Sequence, residues 1–179
     1  MIHARKYFEV PPFLLHWGKC FSSKEVIVKP LTARPFSNGQ LMYAEKVNRK
    51  LLDRKYPWFT QEIAEGNRDA TVVDISGKCH CYQFAKTRGK LTDWRVTQGT
   101  SDNKWIPWNA GEEFEEKVDA YMKELGLHFG RLDFIIGGKE PQFLEVNPCG
   151  QFGWLDDEKL TLHNEVVDAI LDPRTTITI

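Results

Sequence analysis

Two apolar runs joined by a short turn are the feature that most constrains the fold of this chain. The runs cover residues 131–136 and 143–148, and Gly137, Gly138 and Pro141 lie between them. Apolar and β-branched runs on either side of a turn rich in glycine and proline are typical of a β-hairpin. The sequence therefore predicts two antiparallel strands that pair at this place.

Polar side chains share one face of the predicted hairpin. Successive side chains of a strand point to opposite faces, so Asp133 is separated from its apolar neighbours, and Glu145 and Asn147 share a face. The same alternation gives the hairpin an apolar face, formed by Leu132, Phe134, Ile136, Leu144 and Val146. If the register brings the polar faces together, two carboxylates and an amide oxygen converge, which suits Mg²⁺ beside nucleotide phosphates. The alternative is an ordinary half-exposed hairpin whose polar residues face water.

The composition limits the classes of function. With 179 residues, of which 41% are hydrophobic, the chain fits one globular domain or two small ones with a stable core. Its 24 basic and 25 acidic residues nearly balance, which does not indicate a general nucleic-acid or membrane surface. No segment approaches the roughly 20 apolar residues that span a bilayer, and the first residues lack the apolar stretch of a signal peptide. We therefore expect a cytoplasmic protein without nucleic-acid or membrane partners.

The cysteines are Cys20, Cys79, Cys81 and Cys149, and they lack the spacing of a disulfide framework. Cys79 and Cys81 flank His80, but a second pair of zinc ligands is missing. In a strand the two thiols would share a face. We interpret them as small, reduced, buried side chains, with a zinc site as the alternative.

The remaining pattern predicts further strands and two helices. Short β-branched or aromatic runs predict strands at 26–30, 41–47, 58–63, 71–75 and 79–85. Apolar residues at helical spacing predict a helix at 112–125, and Gly126 suits its C-cap. A second helix is predicted at 156–171, with its apolar residues on or near one face: Leu160, Leu162, Val166, Val167 and Ile170. This combination belongs to the α+β class.

Two strings resemble a known enzyme family. Residues 143–148 read Phe-Leu-Glu-Val-Asn-Pro, and residues 150–154 read Gly-Gln-Phe-Gly-Trp. They resemble the metal-binding end of ATP-grasp ligases, in particular the microviridin or graspetide type, which crosslink ribosomally made peptides (RiPPs). The triplet Asp-Trp-Arg at 93–95 is a second match to that subgroup. The resemblance covers roughly residues 24–172 and implies the C-terminal portion of an ATP-grasp fold, with antiparallel sheets and packed helices.

The resemblance also assigns a metal and phosphate site. In the family, the matching Asp, Glu and Asn hold Mg²⁺ ions against the phosphates of ATP, which implies this role for Asp133, Glu145 and Asn147. Lys29, at the end of a predicted strand, matches a lysine that contacts the phosphates. Without the resemblance, Lys29 would be read as a solvated surface charge.

Four further residues receive roles from the resemblance. Glu62 and the backbone of Ile63 would bind the adenine edge of ATP. Arg95 would stabilise the transferring phosphoryl group or the acyl phosphate, because a guanidinium can donate two parallel hydrogen bonds. A surface ion pair between Arg95 and Asp93 is the alternative. Arg88 would hold an acidic substrate.

The sequence departs from the family in two places. Relatives often carry Asp-hydrophobic-Arg where this chain has Asp69-Ala70-Thr71, so one phosphate or substrate contact is missing, although Arg68 lies beside it. Full-length relatives also have another domain, of roughly a hundred residues, before the strand of Lys29. The chain is therefore interpreted as a fragment, a truncated homologue, or a subunit that pairs with a separate chain or with its own copies.

The predicted organisation leads to a predicted function. Residues 1–23 form an N-terminal segment without an assigned role, and residues 174–179 form a tail. Between them, residues 24–90 form a central ATP-grasp subdomain with the nucleotide lid and hinge. Residues 91–173 form a C-terminal ATP-grasp subdomain with the metal site. The resemblance implies an ATP-dependent carboxylate ligase that uses Mg²⁺ and an acyl phosphate to form ester or amide crosslinks in a precursor peptide. The alternatives are an ATP-grasp ligase that adds amino acids to a protein or metabolite, and a non-catalytic module that binds nucleotide or peptide.

Overall fold

The computed structural model describes residues 1–17, 24–29, 31, 43–53, 55–85 and 104–172, without the side chains of 16 and 17. Its described part holds two antiparallel β-sheets and two α-helices. Arg88, Arg95 and Cys20 lie outside the described residues, as does the tail at 174–179. No helix in the described ranges is long and apolar enough to cross a membrane.

The first sheet has four strands in the order β1-β4-β2-β3. They are β1 (Phe13–Trp17), β2 (Glu25–Lys29), β3 (Glu45–Asn48) and β4 (Pro57–Gln61). All neighbouring pairs in the sheet are antiparallel. Strands β2 and β4 confirm the predicted strands at 26–30 and 58–63, although β4 ends at Gln61 and residue 30 lies outside the described residues. The strand predicted at 41–47 corresponds to β3, which begins at Glu45. Strand β1 was not predicted, because its single short run follows two prolines and has no alternating pattern.

The second sheet has five strands in the order β7-β6-β5-β8-β9. They are β5 (Arg68–Ile75), β6 (Lys78–Phe84), β7 (Trp105–Pro107), β8 (Phe129–Ile136) and β9 (Gln142–Asn147). The predicted hairpin is confirmed as β8 and β9. Ser76 and Gly77 join β5 to β6 with φ values of 53° and 88°, the left-handed conformation that a tight hairpin turn requires.

The two helices are α1 (Glu112–Glu124) and α2 (Thr161–Leu171). Helix α1 confirms its prediction and packs its apolar stripe on one face of the second sheet. The predicted start of α2 at Asp156 is wrong. Asp157 Oδ1 accepts a hydrogen bond from the N–H of Thr161, and Asp156 Oδ1 accepts one from the N–H of Leu162. The two aspartates therefore lie before the helix and satisfy the N–H groups of its first turn.

The predicted apolar face of α2 is only partly used. Leu162 is buried in a cluster with Val73 and Leu155 on the face of the second sheet that α1 does not cover. Val167 and Ile170 stay exposed. The helix therefore buries only part of its predicted apolar face against the sheet.

A β-bulge changes the predicted alternation of β9. Asp133 pairs with Glu145 and Phe134 pairs with Phe143, so Leu144 is the extra residue. Phe143 is fully buried, and Val146 packs against the same cluster. The expectation that Leu144 shares the face of Val146 is therefore wrong; Leu144 is half-buried and is absent from both described hydrophobic clusters.

The N-terminal segment forms part of the core of the second sheet. Phe8 contacts the rings of Phe114, Tyr121, Phe134 and Phe143 at centroid distances of 5.2 to 5.9 Å. The segment thus packs between α1 and the hairpin, a role that the sequence did not reveal. The predicted boundary between residues 90 and 91 stays a prediction. Along the chain, the last strand of the first sheet is β4 and the first strand of the second sheet is β5.

Candidate functional site

The register of the β8–β9 hairpin brings the three predicted metal ligands together. Asp133 lies directly opposite Glu145, and Asn147 lies opposite Arg131. The Nδ2 atom of Asn147 is 3.3 Å from Asp133 Oδ2 and 3.4 Å from Glu145 Oε1. The polar face of the hairpin is therefore a single cluster of side chains.

Lys29 joins this cluster from the other sheet. It is the last residue of β2, and its Nζ atom lies 3.5 Å from Glu145 Oε2. Only 17% of its side-chain surface is exposed, so it is not the freely solvated charge that a lone lysine would suggest. The contact places the end of β2 against the polar face of the hairpin, with the candidate site between the two sheets.

Arg131 is a site residue to which the sequence analysis gave no role. Its Nε and Nη2 atoms donate to the two carboxylate oxygens of Asp133 at 3.1 and 3.0 Å. Its Nη1 atom donates to the carbonyl of Gln151 at 2.8 Å, and its guanidinium lies 5.1 Å from the ring centroid of Trp154. Arg131 thereby ties Asp133 to the loop after β9. Its spacing of two residues from Asp133 was the signal that could have revealed it.

Thr71 supports Asp133 from the neighbouring strand. It lies opposite Asp133 on β5, and its buried hydroxyl donates to Asp133 Oδ1 at 2.8 Å. The resemblance to ATP-grasp ligases predicts an arginine at this position. Here a neutral hydroxyl contacts the aspartate instead.

The electrostatics of Asp133 reflect opposing influences. Burial raises the pKa of Asp133 above its ordinary value, although 21% of its side-chain surface remains exposed. The charge and hydrogen bonds of Arg131 lower this pKa, the nearby Glu145 raises it, and the hydroxyl of Thr71 lowers it. The net direction is upward, because the effect of burial on the pKa of Asp133 outweighs the charge and hydrogen bonds of Arg131.

The donor set fits a hard cation. Two carboxylates and an amide oxygen are the ligand types that Mg²⁺ prefers. Glu145 keeps lone pairs that its protein partners do not use, whereas the roughly four lone pairs of Asp133 accept hydrogen bonds from Arg131, Thr71 and Asn147. Asn147 turns its Nδ2 atom towards the acids; a half-turn of the amide would present Oδ1 instead. No group of three His, Cys, Asp or Glu that could hold a metal exists within the described ranges, so the site depends on the asparagine.

Among the described residues, the thiols of Cys79 and Cys81 belong to no such site. Cys79 and Cys81 are half-buried and pack against the core under α1. Burial raises the pKa of Cys81 to about 12, and it also raises the pKa of Cys79. Thiols that resist ionisation are poor metal ligands, which agrees with their interpretation as small buried side chains.

Glu62 and Ile63 follow directly on β4. The N–H of Glu62 donates to the carbonyl of Pro12 at 2.8 Å, which ties this segment to the start of β1. The side chain of Glu62 is half-buried, and Ile63 is 44% exposed. Both residues lie in the connection between β4 of the first sheet and β5 of the second. Strand β4, which precedes them, pairs with β2, the strand of Lys29.

No protein-family model and no curated protein matches this sequence. Solved structures do match. A RiPP-associated ATP-grasp ligase of Chryseobacterium gregarium, in complex with ADP and a leader and core peptide, is 20% identical with a TM-score of 0.81, over 96% of this chain and 57% of that one. The macrocyclase MdnC of Microcystis aeruginosa MRC, bound with precursor peptide MdnA, is 20% identical with a TM-score of 0.75, over 94% and 58%. The chain has the ATP-grasp fold.

A third match extends the ATP-grasp comparison beyond peptide ligases. The D-alanine–D-alanine ligase of Bacillus anthracis is 14% identical with a TM-score of 0.57, over 94% of this chain and 64% of that one. The predicted α+β class with antiparallel sheets is confirmed. The chain spans under two thirds of the length of all three proteins.

Proposed function

We propose that this chain is the nucleotide-binding part, or the whole, of an ATP-dependent carboxylate ligase that forms ester or amide crosslinks in a ribosomally made precursor peptide. The observation that carries the proposal is the meeting of Lys29 with Glu145 across the two sheets, beside Asp133 and Asn147. In an ATP-grasp fold this meeting brings a cation and oxygen ligands to the same place. Such an arrangement suits a nucleotide triphosphate with its metal ion.

The proposed reaction has two transfers. A substrate carboxylate attacks the γ-phosphorus of ATP, which releases ADP and forms an acyl phosphate. A hydroxyl or amine then attacks the acyl carbon and releases phosphate, giving an ester or an amide. Phosphoryl transfer of this kind depends on positioning and charge stabilisation more than on a protein nucleophile.

The side chains of the site divide these tasks. Asp133, Glu145 and Asn147 would hold Mg²⁺, which when bound supplies positive charge against the phosphate oxygens. The ammonium of Lys29 would bind a phosphate directly, because it is a compact cation with three donors. Arg131 would keep the carboxylate of Asp133 in a fixed orientation through its two parallel hydrogen bonds.

The remaining assignments belong to the same proposal. Glu62 and the backbone of Ile63 would bind the adenine edge, at the connection between the sheets. Arg95 would stabilise the transferring phosphoryl group, and Arg88 would hold an acidic substrate. The part of the cleft that longer relatives possess would come from another segment, a separate chain or a second copy.

The comparison proteins support a peptide substrate. One was solved with a leader and core peptide, and another with the precursor peptide MdnA. The likeness to D-alanine–D-alanine ligase favours a second candidate, a ligase that joins an amino acid to a protein or metabolite. Thr71, in place of the usual arginine, favours a third, a module that binds nucleotide or peptide without catalysis.

Mass spectrometry separates these candidates. The chain is incubated with ATP, Mg²⁺ and a peptide rich in Thr, Asp and Glu, and ATP turnover is followed in parallel. Crosslinking removes one water per bond from the peptide, whereas amino-acid addition makes the acceptor heavier. Binding of ATP without turnover would favour the third candidate.

Two variants test the assigned ligands in the same assay. Asp133→Asn and Glu145→Gln should each abolish ATP turnover, whereas Glu113→Gln, on the exposed face of α1, should not change it. If all three variants turn over ATP like the wild type, the metal assignment is wrong.

A further inference from the structure

The loop after β9 is held by α2 as well as by the hairpin. Phe152, in the middle of this loop, packs its ring on that of Phe129 of β8 at a centroid distance of 5.5 Å. It also contacts the imidazole ring of His163 on α2 at 4.8 Å. The loop therefore has a contact to α2 that is separate from its contacts to Arg131.

The imidazole of His163 is itself fixed in orientation. Its Nδ1 atom donates to Oδ2 of Asp156, because a carboxylate can only accept, and its backbone N–H donates to the same oxygen. The other oxygen, Oδ1, accepts from the N–H groups of Asp157 and Leu162 at 3.0 and 2.8 Å. Only 2% of the side-chain surface of Asp156 is exposed. Turning the imidazole away from Phe152 would leave this buried acceptor one donor short, which costs free energy.

Helix α2, which carries His163, is attached to the sheet on the side away from the hairpin. The carboxylate oxygens of Glu165 lie 2.6 Å from Nζ of Lys78 and 2.7 Å from Nε2 of His80, both on β6. Leu162, next to His163, is buried against the sheet. The helix is therefore a fixed support from which the imidazole can hold the loop.

The contacts continue from the loop to a predicted metal ligand. Gln151 precedes Phe152 directly, and its carbonyl accepts from Nη1 of Arg131, whose Nε and Nη2 donate to Asp133. A shift of the Phe152 ring would move this carbonyl with it. Among the described residues, no hydrogen bond, ion pair or ring contact joins His163 directly to Asp133. Any effect of His163 on the site therefore passes through the loop.

We propose that His163 is a positioning residue of the predicted metal site, an inference that rests on the proposed function. Fixed by Asp156 and packed on Phe152, it holds the loop where Gln151 anchors the guanidinium of Arg131. Groups that orient a metal ligand change metal affinity even though they do not touch the metal. His163 thereby links α2 to the capacity of the hairpin to bind Mg²⁺.

Variants of two neighbouring residues of α2 test this role by calorimetric titration. His163→Ala removes the ring and the bond to Asp156, whereas His163→Asn keeps a side-chain donor for Asp156 and removes only the ring. Both should raise the Kd for Mg²⁺ in the presence of ATP about tenfold, because the loop no longer fixes Arg131. Asn164→Ala is the matched control, since it removes an exposed hydrogen bond to the carbonyl of Lys159 without touching the loop. It should bind Mg²⁺ like the wild type.

The fluorescence of Trp154 reports the position of the loop. Its ring centroid lies 5.1 Å from the guanidinium of Arg131, so its emission depends on that contact. The contribution of Trp154 is the difference between each protein and the same protein carrying Trp154→Phe. His163→Asn should change this contribution and Asn164→Ala should not. A purely structural histidine would lower the Tm on substitution and leave both the Trp154 emission and the Kd for Mg²⁺ unchanged.

The outcomes separate this inference from the proposed function. If the wild type binds neither ATP nor Mg²⁺, the proposed function fails, and the emission of Trp154 still decides whether His163 holds the loop. If the wild type binds both but His163→Asn has the same Kd for Mg²⁺ or the same Trp154 emission, the positioning role is overturned. Should neither variant of His163 fold, Phe152→Leu breaks the same contact from the side of the loop. An unchanged Kd for Mg²⁺ in that variant would contradict the proposal.

Discussion

At the scale of single residues, the site depends on how the carboxylate of Asp133 is held. Arg131 and Thr71 both donate to it, from its own strand and from the neighbouring strand. Groups that orient a metal ligand affect metal affinity even though they do not touch the metal. Thr71 is of special interest because the resemblance to ATP-grasp ligases predicts an arginine at this position.

Thr71→Val tests this support. The substitution keeps the shape of the side chain and removes the hydroxyl that donates to Asp133. We expect the Kd for Mg²⁺ in the presence of ATP to rise about tenfold or more. Thr71→Ser, which retains the hydroxyl, should stay close to the wild type. Calorimetric titration measures both, and equal affinities for all three proteins would contradict the role of Thr71.

Asp74 gives a pH-dependent prediction. It is fully buried on β5 and accepts hydrogen bonds from the N–H of Gly77 and the thiol of Cys79. Burial raises the pKa of Asp74, so the folded state holds its proton more tightly than the unfolded state. This contribution to stability is complete below about pH 4 and is lost as the pH rises through the folded-state pKa.

Asp74→Asn should remove that dependence. The amide keeps an acceptor for Gly77 and carries no charge at any pH. Urea unfolding from acidic to neutral pH should show that the variant loses less free energy of unfolding than the wild type as the pH rises. Identical slopes for the two proteins would show that Asp74 does not control this transition.

At the scale of elements, the loop after β9 is packed onto the predicted metal ligands. A Cβ atom at Gly150 would lie 2.7 Å from the Cβ of Arg131 and 3.1 Å from the Cβ of Asn147. A Cβ at Gly153 would meet only the ring of His163, at an ordinary 3.7 Å. The loop can therefore lie against the hairpin only because residue 150 has no side chain.

Gly150→Ala should displace Arg131 and Asn147 and weaken Mg²⁺ binding, whereas Gly153→Ala should not. Both variants replace a glycine by alanine in the same loop, so the unfolded-state effect is shared. Metal titration of both proteins in the presence of ATP provides the comparison. If the two alanine variants bind Mg²⁺ equally well, the close packing at Gly150 has no functional consequence.

The elements also show what the sequence can and cannot predict. The hairpin and α1 were predictable because their patterns are local and regular. The bulge at Leu144 was not predictable from the sequence. The extra residue keeps Glu145 and Asn147 on the polar face but places Phe143, instead of Leu144, on the apolar face. The start of α2 was missed because Asp156 and Asp157 cap the helix through side chains instead of belonging to it. The alternation of the strands predicted that the polar residues of the hairpin would share a face, and the register confirms it. Arg131 was missed because its role depends on its contact with Asp133.

At the scale of the whole molecule, the N-terminal segment joins the core from a distance in sequence. Phe8 packs among rings of α1 and of the hairpin. Glu124, at the end of α1, accepts hydrogen bonds from Lys6 and Tyr7, and these contacts together with His3 lower its pKa to about 2. Such long-range contacts leave no local pattern, which is why the role of this segment was not predicted.

Phe8→Ala should therefore destabilise the whole second sheet. Truncating a buried phenylalanine in a packed core costs about 3–5 kcal/mol of unfolding free energy. Phe13→Ala, on the half-buried face of β1, should cost less and serves as the comparison. Chemical denaturation measures both, and a small effect of Phe8→Ala would mean that the segment can detach without loss of the core.

The central claim is that Lys29 of one sheet and Glu145 of the other form a single site for ATP and Mg²⁺. The most direct measurement is the Kd of ATP with and without Mg²⁺ for the wild type, Lys29→Met and Glu145→Gln. An exposed ion pair on β2 and β3, Glu25 with Lys46 at 2.8 Å, provides the controls Glu25→Gln and Lys46→Met.

We predict that Mg²⁺ strengthens ATP binding to the wild type, that Lys29→Met weakens ATP binding with or without the metal, and that Glu145→Gln removes the effect of Mg²⁺. Both control variants should bind like the wild type. The claim is contradicted if the wild type binds no ATP, or if Lys29→Met and Glu145→Gln bind ATP and respond to Mg²⁺ as the wild type does.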